Sequence, residues 1–231
     1  MLNTVHYDGP GDTVPLLIAH GLFGSARNWG VLAKRFSETR PVIVVDMRNH
    51  GQSPWHDTQS YYDMAADLAE VIDRPCDVLG HSMGGKAAMV LALQEPAKVN
   101  RLIVGDIAPV TYTHSQIGPI EAMRRVDLTA IESRADAKAQ LGDLEPGVPD
   151  FLLQSLDMKT REWRLNLDVL AAEMDKIIGF PNVGGTYSGS TLFLSGAASD
   201  YVQRDARPTI KAMFPEAKFA KIPGAGHWLH A

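Results

Sequence analysis

Gly80-His81-Ser82-Met83-Gly84-Gly85 follows directly on the apolar run Cys76-Asp77-Val78-Leu79 and leads into Lys86-Ala87-Ala88-Met89-Val90. A buried strand that ends in Gly-x-Ser-x-Gly and passes straight into a helix describes a nucleophile elbow, a strained turn that lifts the serine hydroxyl clear of the sheet. The glycines two residues either side of Ser82 have a steric reason, since side chains there would collide as strand and helix close on the turn. The pentapeptide alone arises by chance in roughly one chain in ten of this length. Its reading therefore rests on the strand before it, the helix after it and partners further along.

Outward from the elbow, short apolar runs alternate with helical patterns. The runs are Leu16–Ala19, Val42–Val45, Asp77–Leu79, Leu102–Val104, Thr191–Leu194 and Lys218–Ile222. Their hydrophobicity is continuous rather than alternating, as in strands covered on both faces. Helices are predicted over Trp29–Phe36, Tyr61–Ile72, Lys86–Leu93 and Gln203–Phe214, with Pro41, Pro75 and Pro96 in the gaps. The expected architecture is α/β, a mostly parallel central sheet flanked by helices. Alternation stops from about Thr111 to Ser188, where no convincing strand is visible and helices are separated by Pro146-Gly147-Val148-Pro149 and Gly184-Gly185. Residues 1–110 and 189–231 are thus expected to form the core and 111–188 a helical cap. Trp163, Leu167, Leu170, Met174 and Ile177 recur at three- and four-residue steps, a stripe on one predicted helix that packs against the core or in part lines a pocket.

Composition narrows the function classes. A chain of 231 residues with 45% apolar and 21% charged residues fits one soluble domain with an insertion. A formal charge of −5 leaves no footprint for nucleic acid or an anionic membrane. No apolar stretch approaches a spanning helix, and Met1–His6 lacks the character of a signal peptide, so a cytoplasmic location is expected. The single cysteine, Cys76, falls in a core strand and is expected to be buried and inert.

A serine hydroxyl needs a base within hydrogen-bond reach, itself oriented by a carboxylate. Of eight histidines, His227 is the best base, lying in the loop Pro223-Gly224-Ala225-Gly226-His227-Trp228 just past the last strand. His81 is expected to point away from the serine, and His6, His20, His50, His56, His114 and His230 show no pairwise metal spacing, so no metal is assigned. Acyl transfer also needs backbone donors for a tetrahedral oxyanion. The Met83 amide is one; the other is expected from His20-Gly21-Leu22-Phe23-Gly24-Ser25, with Leu22 preferred and Phe23 the alternative. Two carboxylates can complete the set. Asp106 ends the strand after the nucleophile's strand, and Asp200 follows Leu192–Leu194, one residue later than a Gly-x-x-Asp pattern would put it. Asp46 is expected to organise Arg48, Asn49 and the neighbouring turn.

His20–Ser25, Asp46-Met47-Arg48-Asn49-His50-Gly51-Gln52-Ser53, Gly80–Gly85 and Gly224–Trp228, in that order, resemble the α/β-hydrolase superfamily. With Val104-Gly105-Asp106-Ile107-Ala108-Pro109-Val110 and Trp163-Arg164-Leu165-Asn166-Leu167 they are similar to the bacterial YbfF-like esterases, over residues 3–231. That resemblance implies a core sheet with a helical cap and cofactor-free hydrolysis of small carboxylic esters or acyl thioesters through an acyl-enzyme. It carries its aspartate in the Asp106 segment, making Ser82, Asp106 and His227 the preferred triad. Cap cations Arg124, Arg125, Arg134, Lys138, Lys159, Arg161 and Arg164 are either a solvated face or a site for acyl-CoA phosphates. Cofactor-free perhydrolysis, or ligand binding with vestigial turnover, are the rival readings. The superfamily fold normally adds a helix after the His227 loop, whereas this chain stops four residues past it, so an exposed apolar patch or a partner contact is expected there.

Overall fold

The computed structural model describes residues 1–229; His230, one of the histidines weighed for metal spacing, lies outside the described residues. The strands are β1 (Thr4–Tyr7), β2 (Leu16–Ala19), β3 (Val42–Val45), β4 (Cys76–His81), β5 (Val99–Gly105), β6 (Leu156–Asp157), β7 (Glu162–Trp163), β8 (Ser190–Gly196) and β9 (Ala217–Ile222). Seven of them form one sheet in the order β1-β3-β2-β4-β5-β8-β9. All neighbours are parallel except β1, which pairs antiparallel with β3 at the edge. All six predicted runs are strands; β1 is the addition. Thr4-Val5-His6-Tyr7 has no apolar run because an edge strand is only partly covered, and Val5 and His6 are exposed.

The core helices are α1 (Gly30–Phe36), α2 (Tyr61–Val71), α3 (Met83–Gln94) and α9 (Arg207–Met213). α2 starts at Ser60, whose hydroxyl accepts the Asp63 amide, and buries Tyr61, Met64, Ala65, Leu68 and Ala69 at helical spacing. Removing the fully buried Leu68 side chain would cost about 2–5 kcal/mol. α3 is buried from Met83 to Leu93, which is why its sequence is apolar all round rather than striped. It lies between the sheet and α2 and brings the elbow to the sheet's carboxyl edge.

Between β5 and β8 the chain forms α4 (Ile117–Arg125), α5 (Arg134–Gln140), α6 (Val148–Leu152), α7 (Leu167–Ala172) and α8 (Met174–Ile178). Two expectations need correction here. The segment contains strands, because β6 and β7 make an antiparallel hairpin with Leu156 opposite Trp163. The apolar stripe does not run along one helix either. Trp163 is in β7, and α7 and α8 are separate, joined at Glu173, so the three- and four-residue spacing is shared by three elements facing one core. Nor do the described residues leave a bare apolar face beside the last strands. Phe193 is buried, and Phe219 is half-buried with the Arg207 guanidinium 4.6 Å over its ring. Among the described residues no helix is long and apolar enough to cross a membrane.

Candidate active site

The elbow follows from the register of neighbouring strands. His81 pairs with Gly105 across β4 and β5, so Ser82 and Asp106 leave the same edge of the sheet side by side. Ser82 has φ 52° and ψ −120°, a left-sided conformation that costs on the order of 1–3 kcal/mol. It is held by its amide donating to Gly105 O at 2.9 Å and by its carbonyl accepting the Gly85 and Lys86 amides at 2.8 and 3.1 Å. A Cβ on Gly80 would overlap the Gly84 carbonyl, and one on Gly84 would lie 2.5 Å from the Ala19 and His20 carbonyl oxygens. Both glycines are therefore required by close backbone approach.

Asp106 also has positive φ, 50°, and is fully buried. Its carboxylate takes three donors: the Gly196 amide at 3.1 Å, the Ser199 hydroxyl, and His227 Nδ1 at 2.8 Å. The other ring nitrogen, His227 Nε2, lies 3.1 Å from Ser82 Oγ. A carboxylate only accepts, so Nδ1 carries the proton and Nε2 is left to accept the serine's. The structure thus brings together Ser82, His227 and Asp106. Asp200 is left aside, with its carbonyl accepting from Gln203 and Ser199 reaching Asp106 in its place.

Tyr201, which sequence reading missed, and His81 hold the His227 segment. Tyr201 stacks on it at 3.9 Å and 18°, while its phenol pairs with His114 Nε2 at 2.8 Å. Burial pushes the Tyr201 phenol up to about 12, so it stays neutral. His81, which makes no hydrogen bond to Ser82 Oγ, donates from Nε2 to the His227 carbonyl at 2.8 Å. No spacing signal marks Tyr201, because its role depends on where the β8 loop crosses the β9 loop through the Ala198–Ala225 hydrogen bond.

Among the described residues neither the Leu22 nor the Met83 amide has an intramolecular acceptor, and both residues line the cavity over Ser82. Phe23, the alternative donor, is excluded because its amide donates to His50 Nε2 at 3.2 Å. Two buried histidines brace this loop. His20 joins the Gly21 carbonyl at Nδ1 and accepts the Met47 amide at Nε2, and His50 joins the Arg48 carbonyl at Nδ1. Burial lowers the His20 pKa and brings His50 down to about 3, so both rings are neutral. Asp46 departs from expectation in part. It holds the turn through the Ala26 and Gln52 amides and the Asn3 side chain, while Arg48 pairs with Asp67. Cys76 is buried as expected, its thiol pushed up to about 12.

The cavity above Ser82 has a volume of about 480 Å³, within the usual range for small-molecule sites. One side is apolar, from Met83, Ile107, Ile177 and Ile178 with the rings of Tyr61 and Tyr112. Those two phenols spend their protons on the Ile177 and Tyr201 carbonyls and so face the cavity as hydrocarbon. The described wall includes Glu145 but no lysine or arginine. Of the cations in residues 111–188, Arg124 pairs with Glu121 and Asp168, Lys138 with Asp150 and Arg164 with Asp157.

Comparison with known proteins places the chain in a family. The chain is 44% identical to the mouse (Mus musculus) sn-1-specific diacylglycerol lipase ABHD11, over 97% of this chain and 78% of that protein. It is 38% identical to esterase YbfF of Escherichia coli, over 94% of this chain and 87% of that one. A solved marine microorganism esterase superposes with a TM-score of 0.93 at 37% identity, covering 99% of this chain and 93% of that one. Residues 16–231 match the alpha/beta hydrolase family model. The chain belongs to the alpha/beta hydrolase family, beside relatives of esterase and lipase type.

Proposed function

We propose that the chain is a serine carboxylesterase acting on small, neutral carboxylic esters, and that residues 111–188 serve as its cap. The observation that carries this reading is the unbroken relay from Ser82 Oγ through His227 to Asp106, at 3.1 and 2.8 Å, under an apolar cavity. Ser82 attacks the acyl carbon as His227 takes its proton, and the Leu22 and Met83 amides bind the oxyanion. His227 then protonates the leaving alcohol, and the acyl group stays on Ser82. Water, deprotonated by His227, attacks the acyl-enzyme, and His227 returns that proton to Ser82 Oγ as the acid departs. Asp106 fixes the tautomer and stabilises the imidazolium without taking the proton. Every step runs on protein groups, with no cofactor.

The printed activities of the relatives, an esterase and a diacylglycerol lipase, support an ester substrate. Acyl thioesters offer the same acyl half and form the second substrate class. The absence of lysine and arginine from the described wall, and the pairing of Arg124, Lys138 and Arg164, favour neutral leaving groups over the phosphates of acyl-CoA. A panel of acyl esters of graded length, run beside matching thioesters on wild type and Ser82→Ala, tests the reading. Hydrolysis by wild type and its loss in the variant are expected. A wild-type protein inert on the whole panel overturns it.

A further inference from the structure

Lys86 lies one helical turn beyond Ser82 on α3, and it is only 1% exposed. Its ammonium has three protons and meets three backbone carbonyls: Val110 at 2.9 Å, Ile178 at 2.8 Å and Gly179 at 2.5 Å. It stands 4.7 Å from the centre of the Tyr112 ring and 5.7 Å from that of Tyr61. No described carboxylate pairs with it in an ion pair. A buried cation without a counter-charge is costly, and ordinary core packing would be served by leucine or methionine.

The three carbonyls come from the two ends of the insertion. Val110 is where the chain leaves the sheet after β5, and Ile178 and Gly179 are where α8 ends. The same junction is tied by the Tyr112 amide to Ile178 O at 3.0 Å and by the Tyr61 phenol to Ile177 O at 2.5 Å. Tyr61, Tyr112, Ile177 and Ile178 form much of the apolar side of the cavity.

We propose that Lys86 is a specificity-determining positioning residue: its ammonium pins both roots of the insertion to the helix that begins at Ser82, and so fixes the depth of the apolar side that receives the acyl chain. This rests on the esterase reading above. The side chain touches no reacting atom, so its effect falls on which acyl chains fit. Its proton count sets how many roots it can hold, since a neutral amine has two N–H groups for three carbonyls. Burial brings the Lys86 pKa down to about 7, which puts that loss within an accessible range. The titratable groups facing it are Tyr61 on α2 and Tyr112 after β5. Both are raised by burial, so neither titrates with it.

The test compares kcat and KM of wild type and Lys86→Met on p-nitrophenyl acetate, butyrate and octanoate between pH 6 and 9. In the variant, the octanoate-to-acetate ratio of kcat/KM is expected to change at least fivefold from wild type at pH 6, carried by KM. Wild type is expected to move toward the variant's ratio as pH rises through Lys86 deprotonation, while the variant's own ratio stays flat. A folded variant with the wild-type chain-length ratio at every pH overturns the proposal. Should the variant not fold, a wild-type ratio that is constant from pH 6 to 9 overturns it equally. Failure of the esterase reading itself is seen separately, as wild type inert on all three esters or Ser82→Ala still hydrolysing them.

Discussion

Acid should destabilise this protein well before its carboxylates titrate, because His20 and His50 are enclosed as neutral rings behind the loop that carries Leu22 and Phe23. His50 is fully buried, and Nε2 accepts the Phe23 amide, which a protonated ring could not do. Burial first, and the neighbouring His20 second, lower its pKa from 6.5 to about 3. Between those values the unfolded chain binds a proton that the folded chain excludes, so stability rises with pH across the window. The contribution is complete above 6.5 and is lost as pH falls toward 3. Linkage converts this to a loss of about 2 kcal/mol from pH 7 to 5 and about 3 kcal/mol by pH 4. His20 shifts in the same direction and adds to the loss. The perturbation is His50→Gln, which keeps a polar side chain and removes the titration. Urea unfolding followed by tryptophan fluorescence at pH 7, 6 and 5 gives both slopes. The variant starts less stable at pH 7, because a glutamine oxygen that misaligns with the Phe23 amide costs about 1–3 kcal/mol. Its stability then falls less steeply, by about 2 kcal/mol over the two pH units. Parallel slopes for the two proteins would show that His50 is not held neutral and would refute the bracing of the loop.

The two aspartates should separate cleanly by mutation. Asp106→Asn is expected to lower kcat by about 10³- to 10⁴-fold with the melting temperature little changed, and Asp200→Ala to stay within about twofold of wild type; the reverse order in an ester assay would move the acid to Asp200. Gly80→Ala forces a Cβ into the Gly84 carbonyl, so a loss of about 3 kcal/mol or more, or insoluble protein, is expected in chemical denaturation, and a near-native unfolding midpoint contradicts the elbow packing. If acyl-CoA is turned over at all, its KM should change less than about twofold between low and high salt, because surface charges beyond a Debye length are screened and the cavity wall carries no described cation. A steep rise of KM with salt would reinstate the cations of residues 111–188 as a phosphate site.

What the sequence made legible was whatever depends on local chain geometry. The elbow, the six predicted strands and the Leu22 loop all follow from short patterns whose physical cause lies within a few residues. Asp106 was reachable because β4 and β5 are adjacent, so a strand-end residue on one falls beside a strand-end residue on the other. The misses share a different cause. Ser199 and Tyr201 act through the β8 loop crossing under the β9 loop, and nothing in Ala198-Ser199-Asp200-Tyr201 announces that crossing. His50 belongs to a motif that was noticed, yet its partner Phe23 is 27 residues away. Trp163 and Leu167 have helical spacing by coincidence of three short elements meeting one core. Lys86 is a charged residue in an otherwise apolar helix, and only the convergence of three distant carbonyls makes its burial intelligible.

Incubation with a fluorophosphonate, followed by tryptic mass spectrometry, interrogates the junction of Ser82 and His227. One stoichiometric adduct on the peptide bearing Ser82 is predicted, absent in Ser82→Ala and slowed by orders of magnitude in His227→Ala, with both variants still folded. An adduct on another residue, or equal labelling when the imidazole is removed, would mean that the hydroxyl at position 82 is not the activated nucleophile.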